Sequence, residues 1–235
     1  PSIACALLFL TGAAEAQVLP WPGGPGVEIG AVGAPGKLPA GMDPSGATWH
    51  PGLQRLVVVG DAGIVATIDA DGNAVQSWFP GGDLEGVARG PDGTSLVYLA
   101  REHPPAILEF DLAAGQLTGS TWNLQTWFTG PTNQRLEAIA RVGDLYYTGD
   151  QFTGTIRAFA LGSAGAVTLV NSFPSPVGRN DLSALDWCDE TGVLYAVYED
   201  FDVVVEMTAS GTYLRQYVLP GDDQEGLALV PCCAT

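Results

Sequence analysis

Gly82-Asp83-Leu84-Glu85-Gly86-Val87-Ala88 is the stretch that decides the fold, because the chain repeats it. One copy precedes it, Asp43-Pro44-Ser45-Gly46-Ala47-Thr48. Three follow: Arg135-Leu136-Glu137-Ala138-Ile139-Ala140, Asp181-Leu182-Ser183-Ala184-Leu185-Asp186 and Asp223-Gln224-Glu225-Gly226-Leu227-Ala228. With Ser45, Glu85, Glu137, Ser183 and Glu225 aligned, the spacings are 40, 52, 46 and 42 residues. Gly or Ala always follows the aligned position, and an apolar residue comes next. A strand-like unit recurring at about 40–50 residues is the mark of propeller blades.

Outward from each motif the chain repeats a second pattern. A turn such as His50-Pro51-Gly52 or Gly90-Pro91-Asp92-Gly93 leads into a β-branched and aromatic run. Those runs are Leu56–Val59, Leu96–Leu99, Leu145–Thr148 and Leu194–Val197, continuous enough to be buried on both faces. Third strands are expected over Ile64–Asp69, Ile107–Asp111, Thr155–Ala160 and Val203–Met207, and fourth strands as in Val75–Phe79 and Tyr213–Leu219. Four strands per repeat joined by short turns make a blade. The expectation is an all-β propeller with four-stranded blades, five-bladed with an incomplete last blade, or cut from a six-bladed parent. No segment of 10 to 15 residues has helical periodicity.

The domain therefore spans 43–235, C-terminally truncated, behind a Pro/Gly-rich lead-in at 17–42. In the lead-in, Val27–Val32 is the one strand-like piece, an edge strand able to close the last blade. Residues 1–16 read as a partial signal peptide. The apolar run Ile3–Leu10 is followed by Ala14-Glu15-Ala16, with cleavage before Gln17. Export to the periplasm or the exterior follows, and no segment is apolar for long enough to span a bilayer. Cys188, Cys232 and Cys233 would then sit where disulfides are permitted. A bridge from Cys188 to Cys232 or Cys233 and three free thiols are both open. An open ring would expose strand edges and favour association of an otherwise monomeric protein.

The net charge is −17, with nine Lys and Arg against 26 Asp and Glu. That balance excludes the clustered positive charge that nucleic acid and anionic membranes require. Propeller connectivity puts the entry of the first strand and the exit of the second on one face. Both places are acidic here. Entries carry Asp43, Asp83, Glu85, Glu137, Asp181, Asp223 and Glu225; exits carry Asp61, Glu102, Asp150, Glu199 and Asp200. Such a crown cannot keep every carboxylate ionised without a cation, and a ring of hard oxygens selects Ca²⁺ over Mg²⁺. The candidate metal residues are Glu85, Glu137, Glu225, Asp61, Glu102, Asp150 and Glu199. The Asp residues at the entries read instead as turn caps. Glu102 and His103 are the candidate proton-transfer pair, and Arg101, Arg135 and Arg179 balance the charge. No nucleophile elbow, phosphate-cradling loop or His-Glu-x-x-His is present.

The Leu-Ser/Glu-Gly/Ala motif, the second strand ending in an acid and the final Asp223-Gln224-Glu225-Gly226-Leu227 resemble the SdiA-regulated family over about residues 43–230. More distantly the chain resembles phytase-like and gluconolactonase-like propellers. The resemblance implies an exported, calcium-associated propeller of the bacterial envelope with no established catalysis. Arg135, where the other copies have Asp, departs from the pattern. Two functions follow: presentation of a calcium-bearing face to a small ligand or envelope protein, or metal-dependent hydrolysis of a phosphoester or lactone on that face.

Overall fold

The computed structural model describes residues 17–22, 32–221 and 223–230. β1 (Val18–Leu19) is followed by sixteen strands in four sheets. Blade 1 is β2 (Pro44–His50), β3 (Arg55–Gly60), β4 (Ile64–Ile68) and β5 (Ala74–Trp78). Blade 2 is β6 (Leu84–Arg89), β7 (Leu96–Arg101), β8 (Ala106–Asp111) and β9 (Gln116–Asn123). Blade 3 is β10 (Leu136–Val142), β11 (Leu145–Asp150), β12 (Ile156–Leu161) and β13 (Val167–Phe173). Blade 4 is β14 (Leu182–Cys188), β15 (Val193–Tyr198), β16 (Val203–Met207) and β17 (Tyr213–Val218). Each is an antiparallel meander in sequence order, and β1 adds in parallel to the outer edge of β17. Among the described residues the helical segments are two single 3₁₀ turns, and no helix is long and apolar enough to cross a membrane.

The four inner strands are the first four motif copies, so the repeat places every blade. Between successive blades the buried runs meet in three cores. Val57, Val59 and Val65 pack with Leu84, Leu99 and Phe110 between blades 1 and 2. Tyr98, Ile107 and Trp122 meet Leu136, Tyr146 and Phe159 between blades 2 and 3. Tyr147, Ile156 and Ala158 meet Leu182, Leu194 and Val205 between blades 3 and 4. At about 25 cal/mol per Å² of apolar surface removed from water, these interfaces dominate the fold's stability.

The blade count corrects the expectation: among the described residues there are four blades, not five or six. The fifth motif copy, residues 223–230, forms no strand. It still lies in the ring. The Ser183 hydroxyl donates to the Gln224 carbonyl at 2.9 Å, and Leu229 N–H donates to Asp186 Oδ2 at 2.6 Å. On its other side, a Cβ at Gly226 would stand 3.3 Å from the Ala47 nitrogen. This segment bridges blade 4 to blade 1. The blade faces beside it are covered locally: Leu38 and Met42 of the lead-in cover Val58 and Ala66 of blade 1. Leu219 and Leu227 pack on Ala184 and Val197 of blade 4. The edge strand seen in the lead-in is β1; Val27–Ala31, residues 1–16 and Cys232–Cys233 lie outside the described residues, and among the described residues Cys188 has no disulfide partner.

Candidate metal centre at the channel mouth

The aligned motif position is distinguished by more than its residue type. In every blade the inner hairpin slips register there: Pro44/Gly46, Leu84/Gly86, Leu136/Ala138 and Leu182/Ala184 flank the irregularity. Ser45, Glu85, Glu137 and Ser183 are thus the extra residue of a β-bulge, which breaks the ladder locally and re-aims the side chain. The small residue that follows lets blades converge. A Cβ on Gly46 would meet the Glu85 carbonyl oxygen and the Gly86 Cα at 2.7 Å. One on Gly86 would meet the Glu137 oxygen at 3.0 Å. Below the bulges the throat narrows to a cavity of about 10 Å³, room for roughly one water, lined by Gly46, Gly86, Ala138 and Ala184 among others.

A second backbone rule places the exit residues. The carbonyl two residues before each bulge accepts the N–H of the first residue past the second strand. The pairs are Asp61 to Asp43 (3.2 Å), Glu102 to Asp83 (2.9 Å), Gln151 to Arg135 (2.9 Å) and Glu199 to Asp181 (3.3 Å). By this register Gln151, not Asp150, is the blade 3 counterpart of Asp61, Glu102 and Glu199. Asp150 is buried and committed elsewhere, its Oδ2 2.8 Å from Arg157 Nη1, while that guanidinium lies 4.9 Å from the centre of the Phe128 ring. In the sequence an acidic residue at a strand end looks the same whichever way it points.

The other predicted residues form an uneven crown. Among the described residues, the group of carboxylates close enough to share one metal is Asp61, Asp83 and Glu85, whose ligand oxygens lie within 4.8 Å of one another. It straddles the seam between blades 1 and 2. Ser45 donates its hydroxyl to Asp61 Oδ1 and so fixes that carboxylate beside the bulge. Asp83, expected only as a turn cap, belongs to this group; its position two residues before Glu85, on the same side of an extended chain, was the available signal. Asp181, its blade 4 counterpart, does brace the turn: its Oδ2 accepts the Asp200 N–H at 2.8 Å. Asp181 and Asp223 sit at φ values of 62° and 56°, the left-handed conformation that Asp tolerates at turns.

Burial and mutual repulsion act together on the glutamates of the crown. Desolvation, then the charges of Glu137, Asp61, Asp83 and Glu102, push the buried Glu85 carboxyl far above the usual carboxylate range. Desolvation with Glu102 and Asp61 raises Glu137 to about 9, and its Oε2 has no hydrogen-bond partner. Glu102 and Glu225 are each raised to about 7, by burial first and neighbouring acids second. Glu199 rises for the same reasons. Glu102, only 2% exposed, also accepts the Arg135 N–H at 2.9 Å and so ties blade 2 to blade 3. His103 is exposed on the loop beyond it. Arg101 donates to the Pro104 carbonyl and Arg135 to the Gly130 carbonyl, while Arg179 stacks on Phe201 at 4.5 Å and its buried Nη1 has no hydrogen-bond partner.

Fold and site together define a β-propeller with an acidic channel mouth. No protein-family model matches the chain, and no curated protein sequence does. Solved structures do. A glutaminyl cyclase from Myxococcus xanthus is similar with a TM-score of 0.62 and 16% identity, over 81% of this chain and 82% of that one. A Bacteroides caccae protein of unknown function is similar with a TM-score of 0.55 and 20% identity, over 77% of this chain and 62% of that one. The present chain thus spans less than two thirds of the Bacteroides protein. At these identities the likeness shows a shared fold.

Proposed function

We propose that this is an exported envelope propeller that binds calcium through Asp61, Asp83 and Glu85 and presents the charged face to a ligand or protein partner. The carrying observation is the approach of those three carboxylates to within 4.8 Å, with burial and the neighbouring acids already disfavouring ionisation of Glu85. A divalent cation removes that repulsion, and a set of hard oxygen donors without nitrogen or sulfur suits calcium. Backbone carbonyls and water would complete the six to eight ligands calcium takes. Glu102, Glu137, Glu199 and Glu225 would surround the ion with further carboxyl groups, whose ionisation its charge would favour. The resemblance to the calcium-associated SdiA-regulated family supports the same reading. The bound ion would supply fixed positive charge at the mouth, to hold an anionic or carbonyl group of the ligand.

Calcium titration followed by thermal melting tests it. Wild type should melt higher with calcium, by the mass-action stabilisation of a ligand that binds only the folded state. Asp83→Asn should lose most of that gain, while Glu137→Ala should weaken it. Wild-type melting indifferent to calcium would sink the reading.

One observation favours a catalytic alternative. Glu102 and Glu225 titrate near 7, where a carboxyl group serves equally as acid and base. Glu225 is the less buried, and a glutaminyl cyclase shares the fold. Pyroglutamate formation from a peptide beginning with glutamine, and turnover of phosphoester and lactone substrates, should be measured on wild type and Glu225→Gln. Turnover lost in that variant would replace presentation with catalysis.

A further inference from the structure

The face opposite the crown carries a feature that the metal reading leaves unused. Where β2, β6 and β14 leave the channel, a cavity of about 530 Å³ opens beside Leu229 and Val230. That is the size range of small-molecule sites. Trp49, Trp187 and Tyr195 line it, and so do four carboxylates: Asp92, Asp186, Asp189 and Glu190. Arg89 is the one cationic residue of the lining, and it is engaged already, with Asp92 at 2.8 Å and in contact with Asp189. Arg141 approaches Asp92 at 3.9 Å. Four carboxylates against two guanidiniums leave a net negative charge. The indole of Trp187 is fixed, its Nε1–H donating to Asp189 Oδ1 at 2.8 Å. Asp186 is fixed too, accepting the backbone N–H groups of Trp187 and Leu229.

We propose that this cavity is a second ligand site, taking an organic cation with an apolar body, such as an arylalkylammonium group. Indole and phenol rings attract a cation through their faces while burying its hydrocarbon, and the spare carboxylates supply the charge. An anion would meet an Arg89 already paired with two carboxylates. A bare metal ion is a poor fit, because among the described residues these four carboxylates do not converge as Asp61, Asp83 and Glu85 do. The narrow throat separates the two mouths, so this site operates independently of the crown.

Calorimetric titration with benzyltrimethylammonium tests the proposal, with benzyl alcohol and phenylacetate as neutral and anionic controls. Wild type should bind the cation saturably, one to one, and neither control comparably. Trp187→Ala should weaken binding about threefold or more, the scale of one cation–π contact. Asp189→Asn, which keeps the acceptor for the Trp187 indole, should weaken it measurably and stands in if Trp187→Ala does not fold. Asp83→Asn should bind as wild type does. Absence of saturable binding, equal binding of phenylacetate, or affinity unchanged in Asp189→Asn and Trp187→Ala would each overturn the proposal.

Discussion

Gly46 and Ala138 occupy the same motif position, yet the two sites tolerate a methyl group differently. Ala138 already carries one, whereas a Cβ at Gly46 would press within 2.7 Å of the Glu85 carbonyl and the Gly86 backbone. Gly46→Ala should therefore destabilise by about 1–3 kcal/mol, the range of an overpacked core, as read by chemical denaturation. Aligning the copies would call it harmless. Asp150 gives a second test of what the residue's surroundings decide. Removing it in Asp150→Ala leaves Arg157 largely buried without its ion-pair partner, so a loss of about 3–5 kcal/mol is expected. The calcium-induced rise in melting temperature should survive in the same variant. A variant that loses the calcium response while keeping its stability would return Asp150 to the metal site.

At the scale of the element, the segment 223–230 is the weak point of the ring. It is held by the Ser183 and Asp186 hydrogen bonds and by Leu227, which packs against Ala184, Val197 and Val204. It has no ladder of backbone bonds comparable to those of the four inner strands, so it should open well before the blades do. Leu227→Ala should cost less than the 2–5 kcal/mol of a fully buried leucine, because the side chain is only partly buried. Amide hydrogen exchange should nevertheless speed up across 223–230 while β6 to β12 stay protected. Uniform acceleration over all four blades would show instead that the ring opens as one unit.

Over the whole molecule, the raised acids set the pH dependence of stability. Glu102 and Glu225 ionise near 4.5 when unfolded but near 7 when folded, and Glu137 near 9. The folded state therefore holds more protons, and the stability these groups contribute is complete below about 4.5 and lost as pH rises through 7 and on to 9. His50, kept neutral by burial, acts in the opposite sense below its ordinary 6.5. In chelator, melting temperature should fall between pH 5 and pH 9, by about 2–4 °C for each kcal/mol lost. Calcium should reverse most of the fall at the alkaline end, where its ligands no longer compete with protons. A melting curve flat from pH 5 to 9 without calcium would contradict the buried crown.

The sequence by itself determined the blade: its period, its four strands, the channel-lining place of the motif, and the acidic character of one mouth. Those follow from local rules, since turn residues, alternation and continuous apolar runs act over a few neighbours. Blade number, the pairing of Gln151 rather than Asp150 with the other exits, and the grouping of Asp83 with Asp61 and Glu85 were decided only in three dimensions. A bulge shifts register without changing composition, and a carboxylate's partners come from the adjacent blade, some 20 residues away along the chain or more. The cavity at the opposite mouth has the same origin. It is built by Trp49, Arg89 and Trp187 from three separate inner strands, which only closure of the ring brings together.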